Sequence, residues 1–251
     1  MDALDVIVTL TCRKQFERTY KSFIDYVKYF GEFRFIVHID IIEKNKKEDL
    51  PNLLKFLKEK NITDIHINKK PKGHANAINY LFNRIKSEFY FHLEDDWNFI
   101  REIDLNPLIV LLKNHNYIDH IRFNKERIRK KEWLYHLSPY PNLKIFKPVR
   151  QYKIDNVDIV RTNVWSFNPS IARTSIIKNF KSIPLNVNPE QYICHKYPNI
   201  SKHLGTYIYG KIGNAHIVND IGRSHPLFRK IKSILRNPYY HIINYVNYIK
   251  E

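Results

Sequence analysis

Three carboxylates stand side by side at Glu94, Asp95 and Asp96, directly after the apolar run Phe89-Tyr-Phe-His-Leu93. Adjacent carboxylates repel one another unless a cation or hydrogen-bond donors compensate. Hard oxygen ligands in a loop, shared with a phosphate-bearing substrate, suit Mg2+ or Mn2+. Such an ion neutralises the charge that develops on a diphosphate leaving group. The plain alternative is an acidic turn in solvent, yet the triplet has an aromatic strand before it and Trp97 and Phe99 after it. Lys72 and Gly73 precede a helical stripe, where backbone N–H groups and the helix dipole favour an anion. Lys72 is equally one more solvated lysine after Lys69 and Lys70, and His74 either caps that helix or touches a ligand.

The elements that must position these groups alternate through the first hundred residues. Val6-Ile-Val-Thr-Leu10 has the length and β-branching of a buried strand. Phe16, Tyr20, Phe23, Ile24 and Val27 then recur at helical spacing. Phe33 to Ile39 is a second strand ending at Asp40, and Leu50, Leu53, Leu54 and Leu57 mark a helix with Pro51 in its first turn. A strand over 62–67, a helix carrying Ala77, Ile78, Leu81, Phe82 and Ile85, and the strand at 89–93 complete the pattern. Repeated β-α units predict a parallel sheet with helices on both faces, and ligands then bind beyond the carboxyl ends of the strands. The second half is less regular. Strands are expected at 118–123, 158–161 and 164–167, helices from about 174 and 189, and a strand pair from 206–209 and 215–218.

With 251 residues, 43% hydrophobic and 27% charged, the chain has the composition of a globular protein with a sizeable core. Six glycines leave no phosphate loop of the GxxxxGK type. Two cysteines, Cys12 and Cys194, make neither a disulfide framework nor a zinc site, and are read as reduced thiols. No apolar run reaches the ~18 residues of a membrane span, and the acidic start is no signal peptide, so a cytoplasmic location is expected. The net charge of +17 is uneven: residues 1–100 carry +2, residues 121–181 carry +10 and residues 221–251 carry +5. A sustained excess of one sign implies an anionic partner or surface, although a general lysine bias explains part of it.

On these residues the first half resembles the nucleotide-sugar half of a GT-A glycosyltransferase, closest to the family 2-like enzymes. The resemblance rests on Val6-Ile-Val-Thr-Leu-Thr11 with Arg13, the strand ending at Asp40, Lys72-Gly-His-Ala-Asn-Ala-Ile78 opening a helix, and Tyr90-Phe-His-Leu-Glu-Asp-Asp-Trp97. It implies an α/β, Rossmann-like fold with a mostly parallel central sheet flanked by helices and a more irregular, mixed C-terminal half. One domain over 1–251 would comprise a nucleotide-sugar half (1–100), an acceptor-binding and catalytic half (101–227) and a basic amphipathic tail (228–251). The acidic triplet stands where the family carries its DxD motif, as an EDD variant similar to that of certain GlcNAc-transferases. By that resemblance Asp96 is the metal ligand, and Glu94 and Asp95 face the ribose or the metal waters. Thr9, Thr11 and Arg13 would line the nucleotide pocket and Asp40 would face the base or ribose. Read without the resemblance, Thr9 and Thr11 are strand residues and Asp40 is a strand-end cap.

Direct displacement at an anomeric carbon needs a group that deprotonates the acceptor hydroxyl. Acids are few after residue 133: Asp155, Asp158, Glu190, Asp220 and Glu251. Glu190, in Asn188-Pro-Glu-Gln191 at a helix start, stands where the family commonly places its base, though an acid there also suits the dipole. Asp158 is the reserve. Trp165 either stacks on an acceptor sugar or is core. In the run from His216 to His225, the resemblance makes His225, and after it His216, a late ligand of the metal or diphosphate, and Arg223 a partner for the leaving diphosphate.

The expected activity is therefore metal-dependent transfer of a hexosyl or N-acetylhexosaminyl group from a UDP- or GDP-sugar, with Mn2+ or Mg2+. The acceptor would be a glycan, a lipid-linked glycan or a protein, and the outcome inverting if Glu190 is the base. The basic middle and tail would meet an anionic acceptor, or rest peripherally on an anionic membrane. An Mg2+-dependent nucleic-acid-binding protein or nuclease is the alternative, and the near-neutral N-terminal half disfavours it. A sugar-binding relative without activity is a third reading.

Overall fold

The computed structural model describes residues 3–11, 15–41, 49–68, 70–133, 146–162, 164–180, 182–200 and 205–222, all but the last two within the compact unit Met1–Asp220. The chain opens β1 (Leu4–Leu10), α1 (Gln15–Tyr26), β2 (Val27–Lys28), β3 (Phe33–Ile39), α2 (Leu50–Glu59), β4 (Asp64–Ile67), α3 (His74–Arg84) and β5 (Phe89–Glu94). It continues through β6 (Trp97–Phe99), β7 (Ile103–Asp104), α4 (Asn106–Asn114), β8 (His120–Arg122), β9 (Lys131–Trp133), β10 (Phe146–Pro148), β11 (Arg150–Ile154) and β12 (Val157–Thr162). β13 (Ser170–Arg173), α5 (Thr174–Lys178), α6 (Pro189–Ile200), β14 (Thr206–Tyr209) and β15 (Val218–Asp220) follow.

Nine strands form one sheet in the order β11-β12-β14-β8-β13-β5-β1-β3-β4. The four strands from β5 to β4 run parallel, whereas β13 enters antiparallel to both β5 and β8. β14 is parallel to β8, and β12 and β11 close that edge antiparallel. All seven residues of β1 are buried, Asp5 and Thr9 included, because helices cover both faces of this strand. On one face Phe23 of α1 packs edge-on against Phe33, Phe35, Phe91 and Phe99. On the other, Ala75, Ile78 and Leu81 of α3 pack with Ile7, Ile36 and Tyr90. Among the described residues no helix is long and apolar enough to cross a membrane.

The second half departs from expectation in three places. Residues 164–167 make no strand; they are buried irregular chain whose ring and hydroxyl contacts replace ladder bonds. The runs at 206–209 and 215–218 do not pair with each other, since β14 lies between β8 and β12 while β15 pairs with β6. β13 was not legible, as its four residues follow Pro169 and show no alternation.

Gly205 sets how closely β14 approaches the chain before β8. Its carbonyl accepts from the N–H groups of Asp119 and His120, and a Cβ there would lie 1.8 Å from the Tyr117 carbonyl oxygen. Backbone cannot move aside as a side chain does. Gly205→Ala is expected to cost about 3 kcal/mol or more, the upper end of overpacking, measured as a lowered urea midpoint.

Candidate active site

β5 is central, and its end delivers Glu94, Asp95 and Asp96 into the turn before β6. Asp95 is tied down from both sides: Thr11 donates its N–H (2.7 Å) and its hydroxyl (2.9 Å) to Oδ2, and the Thr19 hydroxyl donates to the backbone carbonyl. This carboxylate therefore joins the end of β1 to the acidic turn, and it is buried. Glu94 is different. Trp97 Nε1 donates to Oε2 at 3.3 Å, and His74 Nε2 lies 3.6 Å from Oε1. Burial, then the charge of Asp96, push the Glu94 carboxyl up to about 8, with Asp95 and Glu190 adding to the rise and the Trp97 bond opposing it. Its side chain keeps 26% of its surface accessible.

Asp40 ends β3 without facing open solvent. Its carboxylate accepts from the backbone N–H groups of Lys72 (3.1 Å) and Gly73 (2.6 Å) and from Asn68 Nδ2 (3.2 Å). The same Asn68 amide reaches Asn76 Oδ1. Asp40 thus shapes the turn that opens α3, and the two N–H groups that sequence reasoning offered to an anion are given to it. Gly73 sits at φ +84°, which L side chains rarely adopt, and nothing lies within 4 Å of a Cβ placed there. That turn launches His74 as the first residue of α3. It makes no cap; its ring points to Glu94. Burial lowers its pKa, and the charge of Glu190 works against that.

Glu190, in the first turn of α6, lies near enough for its charge to act on both His74 and Glu94. Its Oε1 accepts from the Ser166 hydroxyl (2.9 Å) and from the Phe167 N–H (3.0 Å). Stacking fixes the segment that holds it: Phe167 lies on His92 at 4.6 Å and Trp165 on His120 at 4.4 Å, with His120 Nε2 3.1 Å from the Ser166 carbonyl. Trp165 is buried, so it is core here. Cys194 donates to its carbonyl from α6. Ser166 carries no signal in the sequence; it matters only because the fold brings it to a glutamate 24 residues on.

Thr9 is opposite both Glu94 and His38 in the sheet. Asp158 stands in β12, four strands from β5 or about 19 Å at the usual strand spacing, and contacts Lys211 Nζ at 3.5 Å. The fold does not bring it to Glu94. Asp220 pairs opposite Trp97 across β15 and β6, which puts a further carboxylate beside the acidic turn. His216 is half-buried just before that strand. Arg13, Arg223, His225, Cys12 and the tail over 228–251 lie outside the described residues.

Among the described residues, no group of three or more His, Cys, Asp or Glu side chains is placed to hold a metal ion. The donor set still fits Mg2+ or Mn2+, which bind through one or two carboxylates with substrate phosphates completing the shell. Burial raises the Glu94 pKa most, and the neighbouring carboxylate of Asp96 raises it next.

No protein-family model matches the chain, and no curated protein matches it in sequence. Solved structures do. Residues 1–349 of S. aureus TarS superpose at a TM-score of 0.54 with 14% identity, covering 86% of this chain and 59% of that one. GalNAc-T7 with UDP, GalNAc and Mn2+ gives 0.56 at 12% identity, covering 82% of this chain and 42% of that one. Mannosyltransferase PcManGT from Pyrobaculum calidifontis, with GDP-Man and Mn2+, gives 0.51 at 9% identity over 81% of this chain and 56% of that one. The chain spans between two fifths and three fifths of the length of these structures. The shared fold is GT-A.

Proposed function

We propose, from a GT-A fold that brings Glu190 near the acidic turn, that the chain transfers a sugar from a nucleoside-diphosphate donor to an acceptor hydroxyl. The observation that carries this reading is His74, which lies against Glu94 while it feels the charge of Glu190. The solved structures similar to this chain include complexes with UDP-GlcNAc, with GDP-Man and Mn2+, and with UDP, GalNAc and Mn2+. A nucleotide-sugar donor and a divalent cation are accordingly proposed here.

Asp96, with Glu94 beside it, would hold the cation, which when bound offsets the negative charge gathering on the departing diphosphate. Asp95 stays with Thr11 and Thr19 and keeps the turn in place. Glu190 takes the proton of the acceptor hydroxyl as that oxygen bonds to the anomeric carbon and the carbon–oxygen bond to the diphosphate breaks. The result is inversion. Because Ser166 and Phe167 both donate to Oε1, the other oxygen of Glu190 is left to meet the acceptor. The test is a panel of UDP- and GDP-sugars with Mn2+, read as release of nucleoside diphosphate and as donor binding. A protein that neither binds nor turns over any donor overturns the reading.

Ser166 acts through Glu190. Ser166→Ala is expected to lower kcat about tenfold with KM unchanged, in line with a lost hydrogen bond to a charged group, and Ser166→Thr to recover most of it. Steady-state kinetics with the donor identified above checks this, and equal losses in both variants would contradict it.

A further inference from the structure

The peptide between Ser166 and Phe167 is held at both of its polar ends. Its N–H donates to Glu190 Oε1 at 3.0 Å, and its carbonyl lies 3.1 Å from His120 Nε2. A carbonyl only accepts, so this contact calls for the imidazole proton on Nε2. Burial, then the charge of Arg122, keep the ring neutral, which makes that its one N–H proton. Nδ1 is buried and has no hydrogen-bond partner among the described residues. The chain around the peptide is tied just as closely. Ser166 Oγ accepts from the Asn168 N–H, which leaves its own proton for Glu190 Oε1. The Trp165 carbonyl accepts from Cys194 Sγ on α6. One turn further along α6, Tyr197 Oη donates to Oδ2 of Asp119, the residue before His120. The 119–120 pair, the segment over 164–168 and α6 therefore close a ring of hydrogen bonds, in which His120 joins the first two.

We infer that His120 is a positioning residue for Glu190, acting through the Ser166–Phe167 peptide. That role presupposes the proposed transfer reaction, in which Glu190 is the base; the hydrogen bonds themselves do not. A trans peptide is a rigid plane whose C=O and N–H point in opposite directions, so a donor that fixes the oxygen also aims the N–H. The bond at the carbonyl strengthens the one at the N–H as well, because hydrogen bonds in a chain polarise one another. The plain alternative is a core ring packed on Trp165, whose centre lies 4.4 Å away. Phenylalanine would stack there equally well, without the cost of a buried, unsatisfied nitrogen. What imidazole adds at this place is a donor, and the donor meets the Ser166 carbonyl. The ring stands on a fixed base: His120 pairs with Ala172 of β13 and Thr206 of β14, and its N–H donates to the Gly205 carbonyl. Support for Glu190 thus comes from the sheet, which holds geometry better than a loop does.

Two variants separate the donor from the ring. His120→Phe keeps the stack on Trp165 and removes the donor, whereas His120→Gln offers an amide N–H in place of Nε2 and gives up the ring. Amide hydrogen exchange followed by NMR reads the effect without any sugar. In His120→Phe the Phe167 amide is expected to exchange roughly tenfold faster than in wild type, while Val8 in β1 stays within about twofold. His120→Gln should bring Phe167 most of the way back. In steady-state kinetics His120→Phe should lower kcat about tenfold with the donor KM unchanged, as for a weakened hydrogen bond to a charged group, and His120→Gln should recover most of that loss. A wild type that turns over no donor removes the transfer reaction, and the exchange rates still decide whether His120 places the Glu190 carboxylate. Should a variant lose protection at Val8 as well, it has unfolded, and the imidazole 15N shifts of the wild type decide instead, with the proton expected on Nε2. A proton on Nδ1, an unchanged Phe167 amide in folded His120→Phe, an unchanged kcat there, or equal losses in both variants would overturn the role of His120.

Discussion

Between pH 7 and pH 4 the protein is expected to unfold cooperatively, with a midpoint between pH 4 and 5. Three histidines drive this. Burial holds His92 and His120 at about 3 and His38 at about 4, all well below their ordinary 6.5. His74 and His120 add to the effect at His92, and Arg122 at His120. His66 and Lys72 add at His38, where Asp40 opposes them. Because the folded pKa values are depressed, the stability tied to neutral imidazole is complete above 6.5 and is lost as pH falls, when the unfolded chain takes up protons first. At about 1.4 kcal/mol per pH unit per group, the three together withdraw roughly 9 kcal/mol by pH 4. Glu94 works in the other direction, since its raised pKa favours the folded state as pH falls from 8, and returns about 3 kcal/mol over this range. The remainder, about 6 kcal/mol, is of the size of a whole domain's stability.

His38 and His92 also keep ring nitrogens buried without a hydrogen-bond partner. Leucine at either position removes both liabilities. His38→Leu/His92→Leu is expected to move the acid midpoint down by half a unit or more, followed by far-ultraviolet circular dichroism and tryptophan fluorescence. A midpoint that stays where the wild type has it would remove the histidines from the explanation.

Those histidines show where the sequence is legible and where it is not. β1, β3 and β5 are runs rich in β-branched and aromatic residues, so strand and buried position follow from residue types, and His38 and His92 read as strand residues. That burial holds both rings neutral does not follow, because it depends on α3 and on residues 164–168 closing over one face. The acidic turn is legible for the reason the parallel half is: three adjacent acids at the end of a strand are local. Glu190 stands in the sequence as the first candidate base and Asp158 as its reserve, and the sheet sets them far apart. Each lies in the second half, but α6 carries Glu190 to Ser166, whereas β12 holds Asp158 against Lys211 four strands away from β5. Residues 164–167 look like a strand in the sequence because valine and aromatics are the residues of strands. Here their partners are rings, His92 and His120, contributed by strands 75 and 45 residues earlier.

Glu190→Gln and Asp96→Asn are expected to abolish sugar transfer in two distinguishable ways. Glutamine has the shape of glutamate and its carbonyl can still accept from Ser166 and Phe167, so the segment over 164–168 keeps its place. What goes is basicity at the oxygen that meets the acceptor. The loss of a general base is worth about 10²–10⁴ in rate, and it should fall on kcat for transfer while donor affinity, read by calorimetry with Mn2+, changes less than twofold. Asp96→Asn removes charge where the cation and diphosphate are proposed to sit, so donor affinity itself should fall tenfold or more and the Mn2+ concentration for half-maximal binding should rise. It should also lower the Glu94 pKa, since the charge of Asp96 is the second largest contribution to its rise. The double variant then separates the two sites: losses that add in free energy mean base and cation site act independently on one reaction. If Glu190→Gln weakened donor binding as Asp96→Asn does, Glu190 would belong to the donor site, and the proton would have to leave by another route.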